Sequence, residues 1–126
     1  MKYKFTGKTK EHYGTTLNQI VCVTAFGNIK EGELGGWIEK ESNLSQEDNC
    51  WVGGKSLVTG NSWVSGNSWI FGNSLVDSNS MVINSKVRSS VVRNSVISGN
   101  SVIDNSVIDD AMVVESVIDN ARVRGD

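Results

Sequence analysis

The stretch SVIDNSVIDDAMVVESVIDN, residues 101–120, brings back a small residue, two apolar residues and two polar residues every five positions. An amphipathic helix would bring its apolar residues back about every 3.6 positions, and a half-buried strand would alternate apolar with polar residues. Neither period describes this stretch. The repeating unit is therefore predicted to be the structural unit, as in a solenoid.

The repeat extends upstream with a change of period. Aligned on a central aliphatic residue, the units are six residues long as far as Val82 and then five, except for the step from Ile97 to Ile103. A small residue precedes each centre by two positions, and Gly or Asn lies where the chain must turn, because both tolerate a positive φ. We expect the centres to point inward: Val52, Val58, Val64, Ile70, Val76, Val82, Val87, Val92, Ile97, Ile103, Ile108, Val113, Ile118 and Val123.

The six-residue units resemble the hexapeptide-repeat proteins, in which an aliphatic residue is followed four positions later by a small one. The pairs Val58/Ser62 and Val64/Ser68 fit this unit. The resemblance implies an all-β fold, a left-handed parallel β-helix of triangular section with three units per coil. The five-residue units from residue 85 look like pentapeptide repeats, which form a four-sided right-handed coil. Because the register runs unbroken from sixes into fives, we favour one triangular helix whose corners lose a residue.

Residues 1–49 do not repeat and are predicted to form a small β cap over one end of a solenoid that spans 50–126. Gly-rich GELGG in the cap is expected to form a turn. The stretch FGNIKEGELGGWIEKESNLSQEDNCWV, residues 26–52, leads into Asn/Ser-punctuated repeats and resembles small proteins encoded by phages and prophages. That resemblance implies a phage or bacterial cytoplasmic setting but no particular activity.

Composition narrows the possible partners. With 126 residues the chain is long enough for one domain, and its net charge of −2 gives no basic field for duplex nucleic acid. No apolar run approaches the roughly 20 residues of a membrane span, and MKYKFTGKTK lacks the apolar core of a signal peptide. We therefore expect a cytoplasmic protein without a membrane partner, in which Cys22 and Cys50 are reduced and buried.

The residues give little sign of catalysis. Many hexapeptide-repeat proteins are acyltransferases that use a histidine on a coil as general base, whereas the single histidine of this chain, His12, lies in the predicted cap. The sequence shows no Cys/His pair at metal spacing, no G-x-S-x-G elbow and no phosphate loop. We predict no catalytic residues, no metal and no cofactor, and keep an acyltransferase with a composite site as the alternative.

The residues flanking each centre should point outward and define three faces. The face centred on Val76 carries alternating charge on successive rungs and is predicted to be solvated. The face centred on Val82 carries no charge and is predicted to be the interface of a homodimer or homotrimer, unless the cap folds along it. Its outward apolar residues are Trp63, Met81, Ile83, Val96, Met112 and Val114.

The third face places aromatic rings beside cations, which could hold a nucleotide or another small, planar, anionic ligand. Packing of the cap onto the tryptophans is an equal alternative for this patch, formed by Trp51, Trp69, Phe71, Lys86 and Arg88. The leading hypothesis is a non-enzymatic, oligomeric binding protein of phage or prophage origin. It would inhibit or sequester a host defence component, either a protein or a nucleotide signal. An acidic duplex mimic acting on a nucleic-acid enzyme is a further alternative.

Overall fold

The computed structural model describes residues 1–125 as an all-β chain, a β-solenoid of about six turns built from stacked parallel sheets. One short 3-10 turn, Glu41–Asn43, lies between the third and fourth strands. The strands are β1 (Tyr3–His12), β2 (Thr15–Cys22), β3 (Leu34–Ile38), β4 (Trp51–Val52), β5 (Leu57–Val58), β6 (Trp63–Ser65), β7 (Trp69–Phe71), β8 (Leu75–Asp77), β9 (Met81–Ile83), β10 (Lys86–Arg88), β11 (Val91–Arg93), β12 (Val96–Ser98), β13 (Val102–Asp104), β14 (Val107–Asp109), β15 (Met112–Val114), β16 (Val117–Asp119) and β17 (Arg122–Arg124).

Three sheets run along the coil, which confirms the prediction of a three-sided parallel solenoid. Sheet 1 has the order β1-β2-β3-β5-β8-β11-β14-β17, sheet 2 has β6-β9-β12-β15, and sheet 3 has β4-β7-β10-β13-β16. The pairing Ile70, Val87, Ile103 continues across the change from six to five residues without a shift of register. The five-residue units therefore belong to the same coil as the six-residue units.

The central aliphatic residues form the core, as predicted. Every centre from Val52 to Ile108 has no exposed surface, and Val113 retains only 5%. Ile118 and Val123 on the last described rungs are partly buried and pack against the same cluster. Because each centre lies directly over the centre one coil earlier, the apolar residues form three stacked rows inside the solenoid.

The change of period is a change at the corners. In most six-residue units a Gly-Asn pair makes the turn, and the glycine takes the left-handed conformation, with φ of 68° at Gly60; Ser78 holds that position in one unit, with φ of 64°. In five-residue units one non-glycine residue holds that conformation, with φ of 51° at both Asn84 and Glu115. The left-handed position two residues after each centre is thus retained, and the second corner residue is lost. Asn accepts this conformation readily, whereas Glu adopts it at a cost.

Buried serines join successive coils at the corners. The Ser74 hydroxyl accepts a hydrogen bond from the Ser90 backbone N–H (3.2 Å) and donates one to the Phe71 carbonyl (2.8 Å). The same arrangement continues when the Ser90 hydroxyl accepts from the Ser106 N–H at 3.0 Å. A small residue is needed at these crowded positions, and serine also satisfies a backbone N–H that water cannot reach.

Replacement of Ser74 by Ala should lower the free energy of unfolding by about 1 to 3 kcal/mol, because it leaves the buried Ser90 N–H without an acceptor. Ser116→Ala is the matched control, since its hydroxyl donates only to the exposed Val114 carbonyl. That change should cost no more than about 0.5 kcal/mol. Urea titrations of the two variants would measure the difference, and equal costs would contradict the role assigned to the corner serines.

The cap extends sheet 1 and covers the first coil. β1 and β2 form an antiparallel hairpin, β2 pairs with β3, and β3 runs parallel to β5, so parallel pairing begins at Trp37. The buried Tyr3 hydroxyl donates to the Leu44 carbonyl at 2.6 Å, and burial raises the pKa of this phenol. The division of the chain into 1–49 and 50–126 stays a prediction.

The expected turn of GELGG forms at Gly32, whose φ is 86°, but the glycine pair at 35 and 36 lies inside strand β3, so a turn is wrong for that pair. A Cβ atom on Gly35 would come within 2.7 Å of both the Ile20 side chain and the Trp51 ring. A Cβ atom on Gly36 would come within 2.6 Å of the Ser56 carbonyl oxygen. These glycines are required because the cap strand approaches the first coil closely.

Two further features concern residues 1–125 as a whole. Cys22 and Cys50 are both buried and free, in agreement with the prediction. In this range no helix combines the length and the apolar character that crossing a membrane would demand.

Candidate functional site

A cleft of about 550 Å³ opens where the cap meets sheet 3, and we call it the aromatic cleft. One wall is the loop before β3 with the start of that strand, and the other wall is the outer surface of the first coils. The lining residues are Asn28, Ile29, Glu33 and Leu34 from the cap, and Trp51, Gly53, Gly54, Trp69, Phe71 and Lys86 from the coil.

Trp51 forms the floor of the aromatic cleft and is only 2% exposed. The Phe26 ring of the cap packs edge-on against it, with 5.5 Å between ring centroids. Lys2 lies beneath, with Nζ 4.8 Å from the Phe26 centroid and 2.7 Å from the Cys50 carbonyl oxygen to which it donates. The cap therefore packs onto the first tryptophan of the predicted patch and fixes its position.

Trp69 and Phe71 remain partly accessible in the aromatic cleft. Both are half-buried and flank the inward Ile70 on β7. Lys86 is paired with Trp69 on the next rung and is exposed. Among residues 1–125, no hydrogen bond or salt bridge involves the Lys86 ammonium group. The coil thus sets a free cation beside an accessible indole, one strand spacing of about 4.8 Å away.

Arg88, the fifth residue of the predicted patch, does not line the aromatic cleft. Its guanidinium group binds Asp104 through two hydrogen bonds, Nε to Oδ1 at 3.0 Å and Nη2 to Oδ2 at 2.5 Å. The hydrogen bond lowers the pKa of Asp104 and raises the pKa of Arg88. The pair occupies a separate shallow depression with Asp119, so Arg88 is committed to its neighbour.

The cap residues of the cleft were missed by sequence reasoning. Ile29 and Leu34 lie in a non-repeating segment, and no period relates them to sheet 3. The only signal was the glycine pair at 35 and 36, whose close approach to Trp51 brings this segment against the coil. Glu33 also lines the cleft, but its carboxylate accepts a hydrogen bond from the Lys30 backbone N–H at 3.1 Å within its own turn.

The outer surface of sheet 2, which we call the uncharged face, is open to solvent. Trp63, Met112 and Val114 are 43, 75 and 49% exposed, while Met81, Ile83 and Val96 are half-buried. The cap hairpin joins sheet 1 and does not lie along this face. The alternative in which the cap folds back over these residues is therefore not observed.

The charged face of sheet 1 has the predicted register. Arg93 lies between Asp77 and Asp109 on neighbouring rungs, and Arg124 follows Asp109. Arg93 Nε is 3.3 Å from Asp77 Oδ1. Exposed pairs of this kind contribute little to stability, so the face fits a solvated surface.

His12 lies at the tip of the cap hairpin, away from the aromatic cleft. Its ring contacts Tyr13 edge-on at 4.6 Å between centroids, and it pairs with Thr15 at the start of β2. The cleft loop follows the other end of β2, about 20 Å away at the usual strand rise. Within residues 1–125, no group of three or more His, Cys, Asp and Glu side chains could hold a metal ion.

The comparisons with known proteins give a partial match. The chain is 44% identical over 36 residues to a protein from Escherichia coli (strain K12) named "Uncharacterized acetyltransferase YdcK". The match covers 29% of this chain and 11% of that protein, so the chain spans only a small part of the relative's length. No family model matches the chain. The partial match and the parallel β-solenoid are consistent with the hexapeptide-repeat superfamily.

Proposed function

We propose that this chain is a non-enzymatic binding protein that self-associates and acts by occupying or sequestering a partner. The observation that carries the proposal is the uncharged face, where Trp63, Met112 and Val114 are exposed on one flat sheet surface. Contiguous apolar patches of this kind mark interaction sites in soluble proteins. The partner for this face is a second copy of the chain.

Two properties of the uncharged face favour a homodimer over a homotrimer. Each chain carries one such face, and a two-fold axis lets the same patch meet itself. The four paired strands of sheet 2 also form one row, which a second identical row can match in length. Solvated charge on sheet 1 makes that side unsuitable for a dry interface.

The biological setting of the proposal is a phage or prophage protein in the host cytoplasm. Its purpose would be inhibition of a host defence component, either a protein or a nucleotide signal. The support is the resemblance of residues 26–52 to phage-encoded proteins. A role as an acidic duplex mimic is less favoured, because Arg93 and Arg124 interrupt the acidic row of sheet 1.

Native mass spectrometry of the purified chain tests the binding proposal directly, because it reports stoichiometry and any retained small molecule together. We expect a dimer at micromolar concentration. A monomer across this range, with no retained molecule, would remove the support for a self-associating binding protein.

Acetyl transfer is the second candidate activity, and the name of the partial relative favours it. The position of His12 at the hairpin tip argues against it, since a base is needed within hydrogen-bond reach of the acceptor. We expect no transfer from acetyl-CoA to a broad panel of amines and alcohols. Turnover that is lost in His12→Ala but kept in Tyr13→Ala would establish the acetyltransferase and reject the non-enzymatic proposal.

A further inference from the structure

We propose that the aromatic cleft binds a nucleoside monophosphate, with the base stacked on Trp69 and Phe71 and the phosphate against Lys86. The inference deepens the proposed binding role by naming a ligand class, and it does not depend on self-association. It rests on three features of the cleft: a fixed floor, an uncovered aromatic wall and an unpaired cation.

The floor is fixed before any ligand arrives. Trp51 is held by the edge of Phe26, which in turn lies over the Lys2 ammonium group. Lys2 donates to the Cys50 and Glu47 carbonyls, at 2.7 and 3.2 Å, and its Nζ lies 3.3 Å from the Cys50 thiol. A rigid site spares a ligand the entropic cost of ordering it. The volume of about 550 Å³ also suits a small molecule, for which pockets run from roughly 300 to 1,000 Å³.

The aromatic wall is left open by the glycines of the preceding coil. Gly53 donates its backbone N–H to the Ile70 carbonyl at 2.7 Å, so it lies on the rung before Phe71. Because residue 53 is a glycine, no side chain covers the Phe71 ring from that preceding rung. In the neighbouring row, Trp51 is the strand partner of Trp69 on the preceding rung. Two accessible rings on one strand form a platform for a planar base.

Among the described residues, Lys86 is the one cationic side chain that lines the aromatic cleft. Lys86 is exposed, and among the described residues it has no ion-pair partner, whereas Arg88 is neutralised by Asp104. The backbone N–H of Gly54 also makes no hydrogen bond within residues 1–125. One ammonium group and one N–H can hold a single phosphate. A nucleoside triphosphate would bring charge that no cleft residue balances, which favours the monophosphate.

Calorimetric titration with adenosine 5′-monophosphate tests the proposal, with adenosine and inorganic phosphate as separate probes. We expect a dissociation constant on the order of 10 to 100 µM for the monophosphate. Trp69→Leu and Lys86→Gln should each weaken binding about tenfold, because one removes stacking and the other removes the charge. Adenosine should bind wild type about tenfold more weakly than its monophosphate and should not respond to Lys86→Gln.

Tyr13→Leu and Arg124→Gln are the matched controls, since the first removes an exposed aromatic ring from the hairpin tip and the second removes a charge from sheet 1. Both should bind like wild type, within about twofold, and all variants should keep the circular dichroism of the parent. No binding of the monophosphate below about 1 mM would overturn the inference, and so would equal affinity in the two cleft variants and wild type. Sedimentation of the same samples reports association separately, so a monomer that binds the nucleotide and a dimer that does not are distinct results.

Discussion

Truncation of Ile103 to Ala should lower the free energy of unfolding by about 2 to 5 kcal/mol. Ile103 has no exposed surface and is stacked between Val87 and Ile118 on the adjoining coils. Its strand is held on both sides by hydrogen bonds, such as that from the Val102 N–H to the Ser116 carbonyl at 2.9 Å. The coils cannot close around the missing methyl groups without breaking this ladder, so the cavity remains.

Val102→Ala is the matched control for the core prediction. Val102 precedes Ile103 on the same strand, is 37% exposed and points outward. Its truncation should cost about 1 kcal/mol or less, because little apolar surface is lost from the interior. Urea titrations would compare the two variants. A similar cost at both positions would mean that the inward register is wrong.

The register of the coil could be predicted from sequence because two positions of each repeat indicate it independently. Each aliphatic centre is accompanied by a small residue two positions earlier, and both positions are imposed by geometry: the centre fills the interior and the serine fits a corner. The loss of one residue per unit after Val82 did not disturb the prediction, since the left-handed corner residue is retained in both kinds of unit.

The sequence predicted that a cap exists, but it did not predict which cap residues contact the coil. Contacts such as Phe26 on Trp51 join a non-repeating segment to the coil, and no period relates the two residues. The glycine pair at 35 and 36 gave the same sequence signal as a turn, although its cause is close packing in a strand. The candidate ligand patch was consequently predicted without its cap wall.

For Arg88, the sequence predicted the direction of the side chain but not its pairing with another residue. Its outward direction was predicted correctly, but its availability was not, because Asp104 lies opposite it on the next rung and binds it. Lys86 has Val102 at the corresponding position and stays free. Cross-strand neighbours one coil apart therefore decide which charged side chains can meet a ligand.

Replacing both Ile83 and Val96 by Lys should convert the proposed dimer into a folded monomer. The two residues lie on adjacent strands, β9 and β12, in the middle of the uncharged face. In a two-fold dimer the change would place four ammonium groups in an interface that has no acidic partner for them. The cost of burying unpaired charge greatly exceeds that of exposing the same lysines in a monomer.

Val117→Lys is the matched control, because it adds a lysine at an exposed apolar position of sheet 3, outside the uncharged face. Sedimentation velocity should report a monomer for the double variant and a dimer for wild type and for Val117→Lys. Circular dichroism should match in all three, since the substituted side chains point away from the core. If the double variant remains a dimer, the interface lies on another face. If Val117→Lys becomes a monomer, the interface includes sheet 3.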